Sequence, residues 1–190
     1  YDHHMERAEE LVKLGGVACE NGREVAENAE VVITMLQNSP NVESALFDEG
    51  GLAEGLTAGK CVIDMSSIAP LASRDFAARL AEKGVDFMDA PVSGGEPKAI
   101  DGTIAVMVGG DEKVFAKYEE LLKTMASTVT LVGGVGAGNI TKLANQMIVA
   151  INIAAISEAY SLAKKAGVDP ENVYRAIRSG LAGSVVMDQK

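Results

Sequence analysis

From Tyr1 to about Leu131 the chain alternates short β-branched runs with helical patterns, and four glycines then fall within six residues, Gly133 to Gly138. Such alternation is what βαβ units and a parallel sheet require, and a cluster of glycines breaks any regular element. Strands are predicted at Val31–Leu36, Cys61–Met65, Val85–Ala90, Thr103–Val108 and Thr128–Val132. Between them, Leu71–Lys83 and Glu112–Met125 carry apolar residues at three- and four-residue spacing, as helices covering a sheet do, and Pro70 suits a first helical turn.

Downstream of the glycines everything reads as helix, which places a domain boundary between residues 132 and 133. A helix from about Asn139 to Ala166 would be roughly 40 Å long, ending near Gly167, with Pro170 opening the next. Its first half is apolar all round, so both sides should be covered by protein; a second subunit or further helices are expected there. At the amino end, Tyr1-Asp2 reads as the end of a strand, followed by a helix from about Met5 to Leu14. At the other end, Met187 to Lys190 stops within a helical pattern.

Charge excludes some functions. With 27 acidic residues against 17 basic ones and a net charge of -10, most of the surface repels polyanions, so nucleic acid is a poor partner. Cys19 and Cys61 have no neighbouring ligand pattern, which argues against a metal site or disulfide framework; both read as reduced thiols of a cytoplasmic protein. Adjacent His3 and His4 point apart and lack a third ligand. No basic stretch followed by an apolar run and a cleavage site resembles a signal peptide. The most apolar segment, Leu143 to Ile156, is 14 residues long and contains Asn145, Gln146 and Asn152, too short and polar to span a bilayer.

Three places offer chemistry. Asp89-Ala90-Pro91-Val92-Ser93-Gly94-Gly95 follows a buried strand and leads into a helical stretch, hence sits at the carboxyl edge of the sheet, where open α/β sheets bind ligands. Ser93 with Gly94 and Gly95 would let backbone N–H groups approach a carboxylate, though an ordinary strand-to-helix turn has the same residues. Lys142 falls near the start of the long helix, where the macrodipole disfavours a cation; in a partly desolvated cleft its pKa should drop, suiting a proton donor to a carbonyl oxygen. Asn145 and Gln146 share its helical face. A lysine reaching solvent, with amides bonding across helices, is the plainer alternative. Finally, Leu36-Gln37-Asn38-Ser39-Pro40-Asn41 and Asp64-Met65-Ser66-Ser67 are polar strand ends on the same edge, and such turns also serve simply as helix caps.

Taken in order, Asp89 to Thr103 (D-A-P-V-S-G-G-E-P-K-A-I-D-G-T) and Gly133 to Gln146 (G-G-V-G-A-G-N-I-T-K-L-A-N-Q) resemble the substrate and catalytic signatures of the β-hydroxyacid dehydrogenase family. I-D-M-S-S-I-A-P at Ile63–Pro70 and S-G-L-A-G-S at Ser179–Ser184 extend the resemblance over essentially the whole chain. It implies a Rossmann-like doubly wound sheet lacking its first strand, with residues 1–132 the dinucleotide-binding domain and 133–190 the start of a helical substrate and dimerisation domain. It implies NAD or NADP as cofactor, Lys142 as the catalytic lysine, Ser93, Gly94 and Gly95 holding a substrate carboxylate, and Asn145 placing the substrate beside the lysine. Leu36, Gln37, Asn41 and Ser67 fall where the family contacts the dinucleotide, and Asp2 where it contacts the adenosine ribose. Gln37 stands where relatives often carry proline, and His3-His4 follow Asp2 in place of an arginine suited to a 2′-phosphate, which favours NAD. The glycine fingerprint G-x-G-x-x-G is absent from the chain, so the chain alone is expected to bind cofactor poorly. E-P-K-A-I-D-G and N-I-A-A-I-S-E-A are closest to the branch that reduces tartronate semialdehyde to glycerate; 3-hydroxyisobutyrate oxidation is the sibling alternative, and a catalytically silent dimerisation module the rival from another class. Either enzyme is expected to be a homodimer or homotetramer through the long helix.

Overall fold

In the computed structural model, which describes residues 1–189, the apolar runs form strands and the amphipathic stretches form helices between them. In chain order these are α1 (Glu6–Lys13), α2 (Gly22–Asn28), β1 (Val31–Thr34), α3 (Ser39–Phe47), α4 (Leu52–Gly55), β2 (Cys61–Asp64), α5 (Pro70–Ala81), β3 (Asp86–Asp89), β4 (Val92–Ser93), α6 (Gly95–Ile100), β5 (Ile104–Gly109), α7 (Glu112–Lys123), β6 (Ala126–Gly133), α8 (Ala137–Lys165), α9 (Pro170–Ile177) and α10 (Val185–Gln189). Local chemistry sets where the helices start. Asn21, Asn38, Asp111 and Asp169 accept first-turn N–H groups of α2, α3, α7 and α9, each cap being worth about 1 kcal/mol. Tyr1 and Asp2 differ from expectation: they lie outside any strand, and Asp2 instead accepts the N–H of His4 at 2.8 Å. No strand pairs with them among the described residues, and a strand without a neighbour cannot satisfy its backbone.

The chain divides into two compact units, Tyr1–Lys142 and Leu143–Lys190. In the first, β1, β2 and β3 run parallel, with Thr34 opposite Asp64 and Asp64 opposite Asp89. The sheet is not parallel throughout, as the alternation suggested. β5 runs antiparallel to β3, and β6 runs parallel to β5. The reason lies in α6. At six residues it rises only about 9 Å, too little to carry the chain back along a strand as a parallel crossover must. Instead β3 and β4 lie along β5 in one register, Asp89 opposite Gly109, Val92 opposite Val106 and Ser93 opposite Ala105.

Alternate side chains feed two cores, one on each face. Val32, Val62 and Phe87 pack with Val42, Leu46, Phe76 and Leu80 from α3 and α5. Cys61, Ile63 and Met88 pack on the opposite face with Tyr118 and Leu122 from α7. This is the doubly wound arrangement, and it aligns the carboxyl ends of β1, β2 and β3 along one edge.

In the second unit most of the surface is open. Ala163 and Met187 are its buried hydrophobic residues among those described, whereas Leu143, Met147, Ile148 and Ile151 are more than half exposed. Here α8 is 29 residues long, so the apolar segment Leu143–Ile156 understates it, and by length and composition the helix is sufficient to cross a bilayer. Lys142 and Glu158 bound its uncharged stretch, Leu143–Ser157, at 15 residues, shorter than the roughly 20 that a span needs.

Candidate active site

Across the carboxyl edge of β1, β2 and β3 runs a row of buried polar residues: Thr34, Asp64 and Asp89, the two aspartates fully buried. Burial of ionisable groups is expensive, so each should answer to a specific set of donors. Thr34 donates its hydroxyl to Asp64 Oδ1 at 2.9 Å, and Ser66 donates its N–H to the same oxygen at 3.1 Å. Ser66 Oγ in turn accepts the N–H of Leu36 at 2.8 Å, and Ser39 Oγ accepts the N–H of Ala69 at 3.1 Å. The turns after β1 and β2 are therefore stitched together, which brings Leu36, Gln37, Asn41 and Ser67 onto one ledge. Asn41 is held by Asn38, whose Oδ1 accepts its N–H at 2.9 Å. Gln37, Asn41 and Ser67 leave their side chains exposed, and Met35 adds an apolar surface.

The second half of the site hangs from Asp89. Its Oδ1 accepts the N–H of Gly136 and its Oδ2 the N–H of Asn139, both at 2.7 Å. Asn139, itself buried, accepts the N–H of Ile68 at 3.1 Å and donates to Ser73 Oγ at 3.2 Å. The first turn of α8 is thus tied to the end of β3 and to the start of α5. Burial pushes the Asp89 carboxyl up, and the backbone donors pull it only partly back. Three residues beyond Asn139 stands Lys142, half-buried. Desolvation holds its ammonium below the ordinary lysine range. The macrodipole expected to contribute does not reach it, because α8 begins at Ala137 and Lys142 lies in the second turn.

On the other side of Asp89 the chain runs through Pro91 into β4 and the Ser93 turn. Gly94 has φ 145°, and a side chain there would press against Lys98. Glycine at this position is therefore fixed by backbone and space together. Gly95 follows at φ 71° and is exposed. The macrodipole behind this turn is weak, since α6 is so short; what the turn offers an anion is its backbone N–H groups and Ser93 Oγ.

Asp89 is what joins the Ser93 stretch to the Lys142 stretch; no hydrogen bond links Lys142 to Ser93 among the described residues. Asn145 belongs to the second unit, where its amide donates to Gln146 Oε1 at 3.0 Å. Asp2 is bonded only within its own turn among the described residues, and the His4 N–H holds its carboxyl below the usual range, leaving it an ionised acceptor. A groove of about 330 Å³ in the second unit, lined by Tyr160, Glu171, Tyr174 and Asp188 among others, contains none of these residues. The pattern of residues passed over Asp64, Asp89 and Asn139 as participants. The available signal was an aspartate closing a strand, after Val62-Ile63 and again after Phe87-Met88.

An open α/β sheet with a polar ledge along its carboxyl edge is the architecture of dinucleotide-binding proteins. Residues 1–134 match the family model of the NAD binding domain of 6-phosphogluconate dehydrogenase, and residues 136–190 match that described as NAD-binding of NADP-dependent 3-hydroxyisobutyrate dehydrogenase. The 2-hydroxy-3-oxopropionate reductase of Escherichia coli K12 is 45% identical over 181 residues, which are 95% of this chain and 62% of that protein. Mouse mitochondrial 3-hydroxyisobutyrate dehydrogenase is 37% identical over 171 residues, 90% of this chain and 51% of its own. Among solved structures, Psf3 in complex with NADP+ and 2-OPP superimposes with a TM-score of 0.90 at 28% identity, over 99% of this chain and 66% of that one. The chain belongs to the β-hydroxyacid dehydrogenase family, and its cofactor is a nicotinamide dinucleotide, NAD or NADP. The exposed amide and hydroxyl groups of Gln37, Asn41 and Ser67, beside the apolar Met35 and Leu36, suit one side of such a molecule.

Proposed function

We propose that the protein reduces tartronate semialdehyde (2-hydroxy-3-oxopropanoate) to glycerate. In this reading Ser93 Oγ and the backbone N–H groups at Gly94 and Gly95 bind the substrate carboxylate. Lys142 donates a proton to the aldehyde oxygen, and Asn145 orients the substrate. Leu36, Gln37, Asn41 and Ser67 hold the dinucleotide and Asp2 its ribose. When bound, the reduced nicotinamide supplies a hydride. Desolvation at Lys142 favours release of its proton, which is what a general acid working on a weakly basic carbonyl oxygen needs.

The observation that carries the reading is the grip of Asp89 on Gly136 and Asn139, which fastens the lysine-bearing helix to the strand that leads into Ser93. The choice of tartronate semialdehyde is supported by the 45% identity to the Escherichia coli reductase. The choice of NAD over NADP is supported by an ionised Asp2, whose charge repels a 2′-phosphate, followed by His3 and His4 in place of an arginine. We further propose that a second copy of the chain covers the apolar face of α8, giving a dimer or a tetramer.

The test is a set of initial rates on protein expressed from its complete reading frame, with tartronate and methylmalonate semialdehydes and with NADH and NADPH. A preference of about ten-fold or more in kcat/KM for tartronate semialdehyde with NADH is expected, because a site built to bond a hydroxyl rejects a methyl in its place. Preference for the methyl compound would identify a 3-hydroxyisobutyrate dehydrogenase instead. Absence of turnover on both would leave a non-catalytic assembly module.

A further inference from the structure

We infer that Asp89 is a positioning residue for Lys142, acting through the start of α8. A fully buried carboxylate is expensive to keep, and a neutral strand residue at this place would close β3 as well. What the carboxylate does that a neutral group cannot is accept two backbone N–H groups at once, Gly136 on one oxygen and Asn139 on the other, both at 2.7 Å. These donors lie on either side of the first residue of α8, so together they set the point and the direction at which the helix leaves the sheet.

The surroundings are shaped to the same end. A side chain at Gly109 would overlap Asp89 Oδ1, and one at Gly138 would collide with the Met107 and Asp89 carbonyl oxygens. The backbone of α8 therefore approaches the strand ends as closely as glycine allows. Asn139 then ties the same turn sideways, to the Ile68 N–H and to Ser73. Lys142 lies less than one helical turn beyond Asn139, so any movement of this turn is transmitted to it with little loss. Displacement of a reacting group by about 1 Å is sufficient to cost about 100-fold in rate.

The inference rests on Lys142 being the proton donor, and a double-mutant cycle separates the two claims. Asparagine at position 89 keeps one acceptor and turns an N–H donor towards one of the two backbone N–H groups, so half of the grip becomes repulsive. Asp89→Asn in the complete protein is expected to lower kcat about 10- to 100-fold, to leave the dissociation constant for the dinucleotide within about three-fold, and to shift the alkaline limit of the kcat profile. Placed in a Lys142→Ala background it should change turnover less than about two-fold, because the group it positions is already gone. An undiminished loss in that background would overturn the inference, as would unchanged kcat in the single variant. If Lys142→Ala itself turns over normally, the proton-donor reading is what fails.

Should Asp89→Asn not fold, Ser73→Ala decides the matter. It loosens Asn139 by one neutral hydrogen bond, and a fall in kcat of a few-fold that vanishes in the Lys142→Ala background supports the inference. A purely structural role would lower the melting temperature and leave kcat per folded molecule and its pH profile unmoved.

Discussion

Thr34 gives its hydroxyl to Asp64 Oδ1 across 2.9 Å, while Asp64 Oδ2 is buried without a partner among the described residues. Burial pushes this carboxyl up, and the hydrogen bonds from Ser66 and Thr34 pull it only part of the way back. The folded chain therefore binds the Asp64 proton more tightly than the unfolded chain. Stability contributed this way is fully present below the unfolded value of 3.8 and is lost as pH rises through the higher folded value. Asp89 shifts in the same direction. Asp64→Asn keeps an acceptor for Thr34 and removes the buried charge. It is expected to flatten the dependence of melting temperature on pH. A variant with an unchanged pH slope would show that Asp64 is not the source.

Gly138 and Gly134 make a matched pair for testing how closely α8 approaches the sheet. Neither has a positive φ, but a side chain at Gly138 would strike backbone carbonyl oxygens, whereas one at Gly134 meets nothing within 4 Å. Gly138→Ala is expected to cost about 2 kcal/mol or more, as overpacking against rigid backbone does. Gly134→Ala should be neutral or slightly stabilising. Equal denaturation midpoints for the two would contradict this packing.

Cys61 opens β2 with its side chain fully buried, and burial, helped by Asp86, pushes its thiol up to about 12. Because the thiolate is the reactive form, Cys61 should resist alkylation in the native protein and react only as fast as the fold opens. Mass spectrometry after timed labelling reads this directly. Rapid modification of Cys61 under native conditions would mean that the core face beneath β2 is open to solvent.

Ile151 lies on α8 and is 65% exposed, with Leu143, Met147 and Ile148 similarly open. A patch of this kind is uncommon on a monomer. Ile151→Lys is expected to move the sedimentation coefficient of the protein from that of a dimer or larger assembly towards the monomer. A wild-type protein that sediments as a monomer at micromolar concentration would remove the second copy from the account.

Much of the fold was legible because the strands read as β-branched runs such as Val31-Val32-Ile33 and Val62-Ile63, the second buried on both faces. The direction of β5 was not legible, since it depends on the length of α6, and only the structure shows that the helical stretch after Gly94 ends at Ile100, too short for a parallel crossover. At the site, Lys142 stood out because of its position near a helix start, yet its lowered pKa comes from desolvation, which only the packed structure reveals. Asp89 and Asn139 were invisible as a pair because they lie 50 residues apart and each resembles a routine turn residue. The strand end expected at Tyr1-Asp2 is absent for the reverse reason: no neighbouring strand is present among the described residues to pair with it.

The most direct test of the whole reading is Lys142→Ala in protein from the complete reading frame, with single-turnover reduction of tartronate semialdehyde and cofactor binding measured side by side. Binding of the nicotinamide dinucleotide is expected to persist within about three-fold while the chemical step slows by roughly 100-fold or more, the size of a lost general acid. A variant that reduces the semialdehyde at close to the normal rate would contradict that reading.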